Sequence, residues 1–265
     1  MEKLQDKSCY RIGRVRISVT NEDDAVKNII GFIKMKEKGY ICVSNMRTVS
    51  IANRDDKYHE IMENSLMNTP DGTPLVWCGH WWGLKEVQRA CGPHIFSRVL
   101  KEKDNGLKHF FLGDTDETLE TLKNKVSKEY GSIVAGVYSP PFLPLEEYNI
   151  KGMANMINES GATIVWTSLR APKQDYLGAM LAPYLNKGTI VVGVGAAFRS
   201  EIGGLKQPDG FLQKIGLAGL IFKRKDSSWL TEIKWYANHS MLLLKYFFTI
   251  RWRRLRGVRH HEILY

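Results

Sequence analysis

The sequence predicts an α/β fold: a mainly parallel sheet flanked by helices, followed by a helical C-terminal appendage. Three observations carry this. Short β-branched and aromatic runs recur as YICVSN at 40–45, KHFFL at 108–112, SIVAGV at 132–137, TIVWTSL at 163–169 and TIVVGV at 189–194. Stretches with apolar residues at helical spacing lie between them. From about Phe211 the strand signals stop, and basic and aromatic residues accumulate in a helical pattern. Residues 1–210 are therefore read as the α/β core and 211–265 as a basic amphipathic appendage.

The elements follow in order. Arg14 to Val19 alternates as a strand. Asn21 is placed to cap the next helix, with Glu22, Asp23 and Asp24 in its first turn and Val26, Ile29, Ile30 and Ile33 along one face. A buried strand, YICVSN, leads into a helical stretch ending near Leu66. KHFFL ends at Gly113 and Asp114, and Thr115 opens a helix carrying Leu119, Leu122 and Val126. SIVAGV runs into the turn Ser139-Pro140-Pro141, a helix occupies about 149–160, and TIVWTSL and TIVVGV complete the sheet.

Composition narrows the class. Hydrophobic content of 43% and charged content of 25% are ordinary for a globular chain. No uninterrupted apolar run is long enough to span a bilayer, and the polar start MEKLQDKSCYRIGR lacks an apolar signal core, so a cytoplasmic location is expected. Cys9, Cys42, Cys78 and Cys91 show no paired spacing and read as free thiols, and the seven histidines show no metal-ligand spacing, so neither a metal nor a cofactor is expected. The net charge of +10 is uneven: residues 223–265 hold ten basic side chains against three acidic ones, a net +7. Attraction to polyanions is thus concentrated at one end.

Ligands on parallel sheets bind beyond the carboxyl ends of strands. Four segments there carry possible chemistry. Asp71, in the turn Asn68-Thr69-Pro70-Asp71-Gly72, is either a rigidly held general base or the cap of a helix starting near Thr73. Pro172 suits a first helical position, leaving free N–H groups suited to phosphate, with Lys173 and Gln174 as added donors. Gly193 and Gly195 form a turn open to close approach by a ligand, without the spacing of a dinucleotide site. Arg89, just before Gly92, suits a diphosphate, although a surface arginine is an equal reading.

Together these segments resemble the WecG/TagA/CpsF family of bacterial glycosyltransferases over about Tyr40 to Leu220. The resemblance rests on Asn45, PDG at 70–72, Arg89 with Gly92, FFLGD at 110–114, APKQD at 171–175, GVGAAF at 193–198 and FLQKIGL at 211–217. It implies a Rossmann-like fold for the core and an inverting, metal-independent transfer from a UDP-sugar to a polyprenyl-diphosphate-linked sugar, in the making of teichoic acid, common antigen, capsule or exopolysaccharide. It implies Asp71 as catalytic base, Gln174 as a second catalytic residue, and Asn45, Arg89, Gly92, Pro172, Lys173, Gly193 and Gly195 as substrate-binding positions. The chain departs from the family at Val43, at His94, where an acidic residue is usual, at Leu169-Arg170, near Arg199-Ser200, and at GLAG, 216–219.

In the appendage, Met241, Leu244, Phe248, Trp252 and Leu255 share one helical stripe beside Lys245, Arg251, Arg253, Arg254 and Arg256. Such a helix suits an anionic membrane surface, which places the protein peripherally on the inner face of the cell membrane. The alternative is a stripe packed on the core or between copies in a homo-oligomer. Two further readings compete: a nucleic-acid-binding module built on 251–256, disfavoured by the adjoining stripe, and a noncatalytic nucleotide-binding regulator.

Overall fold

The computed structural model describes residues 9–102, 106–204 and 229–262, the last region by backbone alone as far as 240. The chain opens with an antiparallel hairpin, β1 (Cys9–Ile12) and β2 (Val15–Ser18). Helix α1 (Glu22–Lys34) follows, capped by Asn21, whose side chain accepts the Asp24 N–H as the sequence suggested. Then come β3 (Gly39–Ser44), α2 (Met46–Ala52), α3 (Asp56–Asn64), β4 (Met67–Pro70), α4 (Thr73–Trp82) and α5 (Gly92–Lys101). The second half holds β5 (Lys108–Leu112), α6 (Asp116–Lys125), β6 (Ile133–Tyr138), α7 (Ile150–Ser160), β7 (Ile164–Thr167), α8 (Lys173–Leu181), β8 (Ile190–Gly193) and α9 (Ala197–Glu201). A long helix, α10 (Trp229–Leu255), ends the described chain.

Six strands form one parallel sheet in the order β4-β3-β8-β7-β5-β6. Period-two alternation decides its faces. Along β3, Ile41 and Val43 join the cluster under α1, α5 and α6, which includes Phe96, Phe111, Trp166 and Phe198. Tyr40 and Cys42 point the other way, toward Leu177 and Leu181 of α8 and Ile157 of α7. Buried on both faces, the central strands read as continuous apolar runs, which is why the sequence shows them clearly.

Two expectations need correction. The helical stretch to Leu66 is two helices, α2 and α3, capped separately by Asn45 and Asp55. Residues 68–70, read as part of a turn, belong to the edge strand β4. Its sequence, MNTP, lacks β-branched apolar character because Asn68 has another task. Its amide donates to the carbonyls of Arg16 and Met62, and its backbone N–H donates to Ser18 Oγ. These bonds tie the hairpin to the sheet edge, a fully buried use of a polar side chain.

Helix α10 docks one face and exposes the other. Tyr246 and Ile250 are buried in a third cluster with Tyr10, Ile12, Val15 and Trp82. Phe247 stands edge-on to Trp81 at 5.0 Å, and Arg254 donates to the Trp81 carbonyl at 3.2 Å. Beyond the helix, the His260 carbonyl accepts the Arg11 N–H at 3.0 Å, so the described residues after the helix return to β1. Met241, Leu244, Phe248, Trp252 and Leu255 are all exposed, at 52 to 84%. The stripe therefore does not pack on the described core. Among the described residues no helix is long and apolar enough to cross a membrane. The boundary near 210 and the FLQKIGL and GLAG segments lie outside the described residues.

Candidate active site

The carboxyl ends of β4, β3, β8 and β7 lie side by side and gather most of the residues singled out from sequence. At the end of β3, Asn45 caps α2: its Oδ1 accepts the N–H groups of Arg47 and Thr48, and Thr48 Oγ1 accepts the Asn45 N–H at 2.9 Å. This reciprocal arrangement fixes Asn45. At the end of β4, the Asp71 N–H donates to the Ser44 carbonyl at 2.8 Å, continuing the ladder by one bond. Gly72 packs against Asn45, with room for a Cβ only 3.7 Å from the Asn45 Cβ.

Asp71 is not the cap of α4. Gly72 occupies that place without a side-chain bond, and Pro74 lies in the first turn. The carboxylate instead meets Arg89, whose Nε donates to the Asp71 carbonyl at 2.6 Å and whose Nη2 lies 3.5 Å from Oδ1. Its side chain is 27% exposed. Burial raises the Asp71 pKa above its ordinary value, and Arg89 opposes the shift without cancelling it. Desolvation disfavours the charge, so this carboxylate is poised to take a proton.

Gly92 starts α5 against the end of β8. A Cβ there would stand 2.8 Å from the Val194 carbonyl oxygen, so the close approach requires glycine. Gly195 has a φ of +60°, and its N–H donates to Gln174 Oε1 at 3.0 Å. The Gly195 carbonyl accepts from Ser168 Oγ at 2.6 Å. A Cβ on Gly193 would meet the Gln174 amide nitrogen at 2.8 Å. Gln174 is itself buried, so its amide holds the glycine turn from below.

The start of α8 differs from expectation. Pro172 is the N-cap, not the first helical residue, and follows a cis peptide bond from Ala171. Three N–H groups at that end bond locally: Gln174 donates to the Arg170 carbonyl, and Asp175 and Tyr176 both donate to the Pro172 carbonyl. Lys173 reaches the loop that follows β6. Its Nζ donates to the Leu143 carbonyl at 2.7 Å and lies over the Tyr148 ring.

Two ionic groupings at this edge escaped the sequence reading. Arg199 of α9 grips Asp114 with both Nε and Nη2, at 2.8 to 3.1 Å, across the ends of β5 and β8. Burial pushes the Asp114 pKa up, but the bonds from Arg199 and the Thr115 N–H prevail and hold it below its ordinary value. The signals were FLGD and an arginine after GVGAAF, but nothing in the sequence joins them. His94 pairs with Glu22 at 2.7 Å beside Cys91. Hydrogen bonds with Cys91 and with Glu22 raise the imidazole pKa to about 10.

Fold and site define a Rossmann-like enzyme with an arginine-held carboxylate at the carboxyl edge of a parallel sheet. The profile of the glycosyl transferase WecG/TagA/CpsF family matches residues 10–221, and the chain belongs to that family. It is a glycosyltransferase. It is similar to N-acetylglucosaminyldiphosphoundecaprenol N-acetyl-beta-D-mannosaminyltransferase of Bacillus subtilis (strain 168), 22% identical over 199 residues that cover 72% of this chain and 76% of that one. A solved structure of a sulfate-associated arylmalonate decarboxylase variant aligns over 76% of this chain and 78% of its own, at 14% identity. Its TM-score of 0.24 is too low to bear on fold or function.

Proposed function

We propose that the protein transfers N-acetylmannosamine or a related hexose from a UDP-sugar to a polyprenyl-diphosphate-linked acceptor, with inversion, in cell-surface polysaccharide synthesis. The single observation that carries this is Asp71: a part-buried carboxylate with a raised proton affinity, backbone-locked by Arg89 at the strand ends. Asp71 accepts the proton of the acceptor hydroxyl as that oxygen attacks the anomeric carbon. One displacement inverts the configuration and releases UDP. The relative's printed name, which joins a sugar transfer to a diphosphoundecaprenol acceptor, supports the acceptor class.

The leaving diphosphate needs neutralisation. Among the described residues, Arg89 and the backbone of the Gly193–Gly195 turn are suited to it, with Asn45 and Gly92 at the neighbouring strand ends. Gln174 acts by positioning that turn. The ordered apolar stripe of α10, with Lys245, Arg251, Arg254 and Arg256 exposed around it and Arg253 half-buried, supports peripheral contact with an anionic membrane where a lipid-linked acceptor resides. An exposed apolar stripe of this breadth favours lipid over nucleic acid as the anionic partner.

The test is a screen of UDP-sugars with a polyprenyl-diphosphate-linked N-acetylglucosamine acceptor, read by mass. Acceptor-dependent UDP release with one added hexose is expected. UDP release from no donor, or release indifferent to the acceptor, would reject the reading.

A further inference from the structure

The first turn of α1 and the first turn of α5 bring three metal-ligating side chains together outside the proposed reaction path. Cys91 is the N-cap of α5 and makes no side-chain cap bond. His94 lies one turn on, and Glu22 comes from α1. The Cys91 Sγ, a ring nitrogen of His94 and a Glu22 carboxylate oxygen all lie within 4.8 Å of one another. His94 Nδ1 is 2.7 Å from Glu22 Oε1, and Cys91 Sγ is 3.9 Å from the same oxygen.

We infer that Glu22, Cys91 and His94 form a binding site for a zinc-class divalent ion that joins α1 to α5 at the rim of the catalytic crevice. The donor set of one thiolate, one imidazole and one carboxylate matches a borderline-soft ion rather than magnesium or calcium, which take oxygen. A tetrahedral zinc ion holds such donors about 3.3 to 3.7 Å apart, given Zn–S near 2.3 Å and Zn–N and Zn–O near 2.0 Å. The present separations therefore need changes of well under an ångström to about one ångström. The thiol gives its proton to solvent when the ion binds.

The two helices are already fixed against each other. Arg98 of α5 pairs with Asp23 of α1, and Val26 and Ile29 pack in one cluster with Ile95, Phe96 and Val99. The ligands are thus presented from a rigid frame. Buried Cys91 closes the inner side, while part-exposed Glu22 and exposed His94 leave the outer side open for a water as fourth ligand. The charges of His94 and Glu22 both reach Asp71, so the ion would stand beside the carboxylate without entering the displacement. In sequence, Cys91-x-x-His94 supplied only two donors, and the third comes from about seventy residues earlier.

Metal-stripped full-length protein is titrated with zinc chloride by calorimetry and with cobalt chloride by absorption spectroscopy. One zinc per chain is expected, with a thiolate-to-cobalt charge-transfer band in the near ultraviolet. Cys91→Ser is expected to abolish that band. His94→Asn and Glu22→Gln are each expected to weaken zinc binding by about tenfold or more, since even outer-shell partners are worth that much. Glu22 is part-exposed, so its variant keeps the test decisive if the buried Cys91 variant does not fold. A His260→Ala/His261→Ala variant is expected to bind as before. Absence of saturable zinc binding by the unaltered protein overturns the inference. So does binding that survives Glu22→Gln and His94→Asn, or that disappears with the paired tail histidines.

Discussion

Arg89 holds Asp71 at two unequal points: a short bond of 2.6 Å to the backbone carbonyl, and a 3.5 Å approach to the carboxylate. The short bond fixes where the carboxylate stands. The long one leaves it basic, because a close bidentate pair would lower its pKa further. Asp71→Asn keeps the shape and the backbone bond but cannot accept a proton. Turnover should fall by about a hundredfold or more, the usual share of a positioned base, while the equilibrium constant for UDP-sugar binding stays near its original value. Rapid turnover in that variant would remove Asp71 from the mechanism.

The same pair sets a pH dependence. Only ionised Asp71 can act as base, so turnover falls as pH drops through its pKa. Burial has raised that pKa, which shifts the acid limb of the kcat/KM profile, the one that reports the free enzyme, above the value of an ordinary aspartate. Arg89→Ala removes the influence that opposes burial, so the limb should move to still higher pH. A limb that stays in place, or moves down, would mean that Arg89 does not tune the carboxylate.

Gln174 calls for a different kind of test, because its amide touches the glycine turn. Gln174→Met keeps the volume and deletes the acceptor for the Gly195 N–H. Leaving that donor unpaired should cost about 1–3 kcal/mol of stability. The KM for the donor should rise more than kcat falls, and the acid limb of the pH profile should not move. A loss confined to kcat would instead place the amide on the reacting atoms.

The strands that the sequence marks most sharply are those covered on both faces. KHFFL coincides with β5, and TIVVGV contains β8, because both faces of these strands are covered. β4 stayed hidden because it exchanges apolar character for the buried bonds of Asn68, and β1 because its four residues carry Arg11, whose charge is satisfied by Glu63 at 2.7 Å. At the site, Asn45, Asp71, Arg89, Gly92, Gly193 and Gly195 were legible because turn chemistry and the family pattern mark them. The start of α8 was harder to read: Pro172 is the N-cap rather than the first helical residue, the N–H groups of Gln174, Asp175 and Tyr176 bond locally, and the Lys173 side chain reaches Leu143. Arg199 with Asp114, and Glu22 with His94, join positions 85 and 72 residues apart, which no local pattern reports.

The two faces of α10 should respond separately to substitution. Tyr246 and Ile250 are buried against the hairpin and α4, so Ile250→Ala should destabilise the fold by about 2–5 kcal/mol, read from denaturant midpoints. Phe248→Glu with Trp252→Glu changes only exposed positions and should leave those midpoints nearly unchanged. It should nonetheless release the protein from anionic vesicles, since it removes apolar contact and adds two charges of the wrong sign, each worth about 1 kcal/mol near the surface. Vesicle binding that withstands the double substitution would assign the stripe to another partner.

Asp175 provides a test of stability that is independent of catalysis. It is fully enclosed between α3, α8 and β3, where the Tyr58 hydroxyl donates to Oδ2 at 2.5 Å and the Cys42 thiol lies alongside. None of the ion pairs among the described residues includes it. Burial raises its pKa to about 7, and the hydrogen bond from Tyr58 and the neighbouring Cys42 thiol only moderate the shift, with Oδ1 left without a hydrogen bond. In an unfolded chain the value is about 3.9. Between these two values the folded protein keeps a proton that the unfolded chain has lost. The stabilisation is therefore complete below about pH 4 and is lost as pH rises through about 7, with a slope of at most about 1.4 kcal/mol per pH unit. Asp175→Asn retains an acceptor for Tyr58 and has nothing to ionise. Urea midpoints of the unaltered protein should thus fall relative to those of Asp175→Asn as pH is raised from about 5 to about 7.5. Parallel pH curves for the two proteins would show that the buried carboxyl is already ionised across that window.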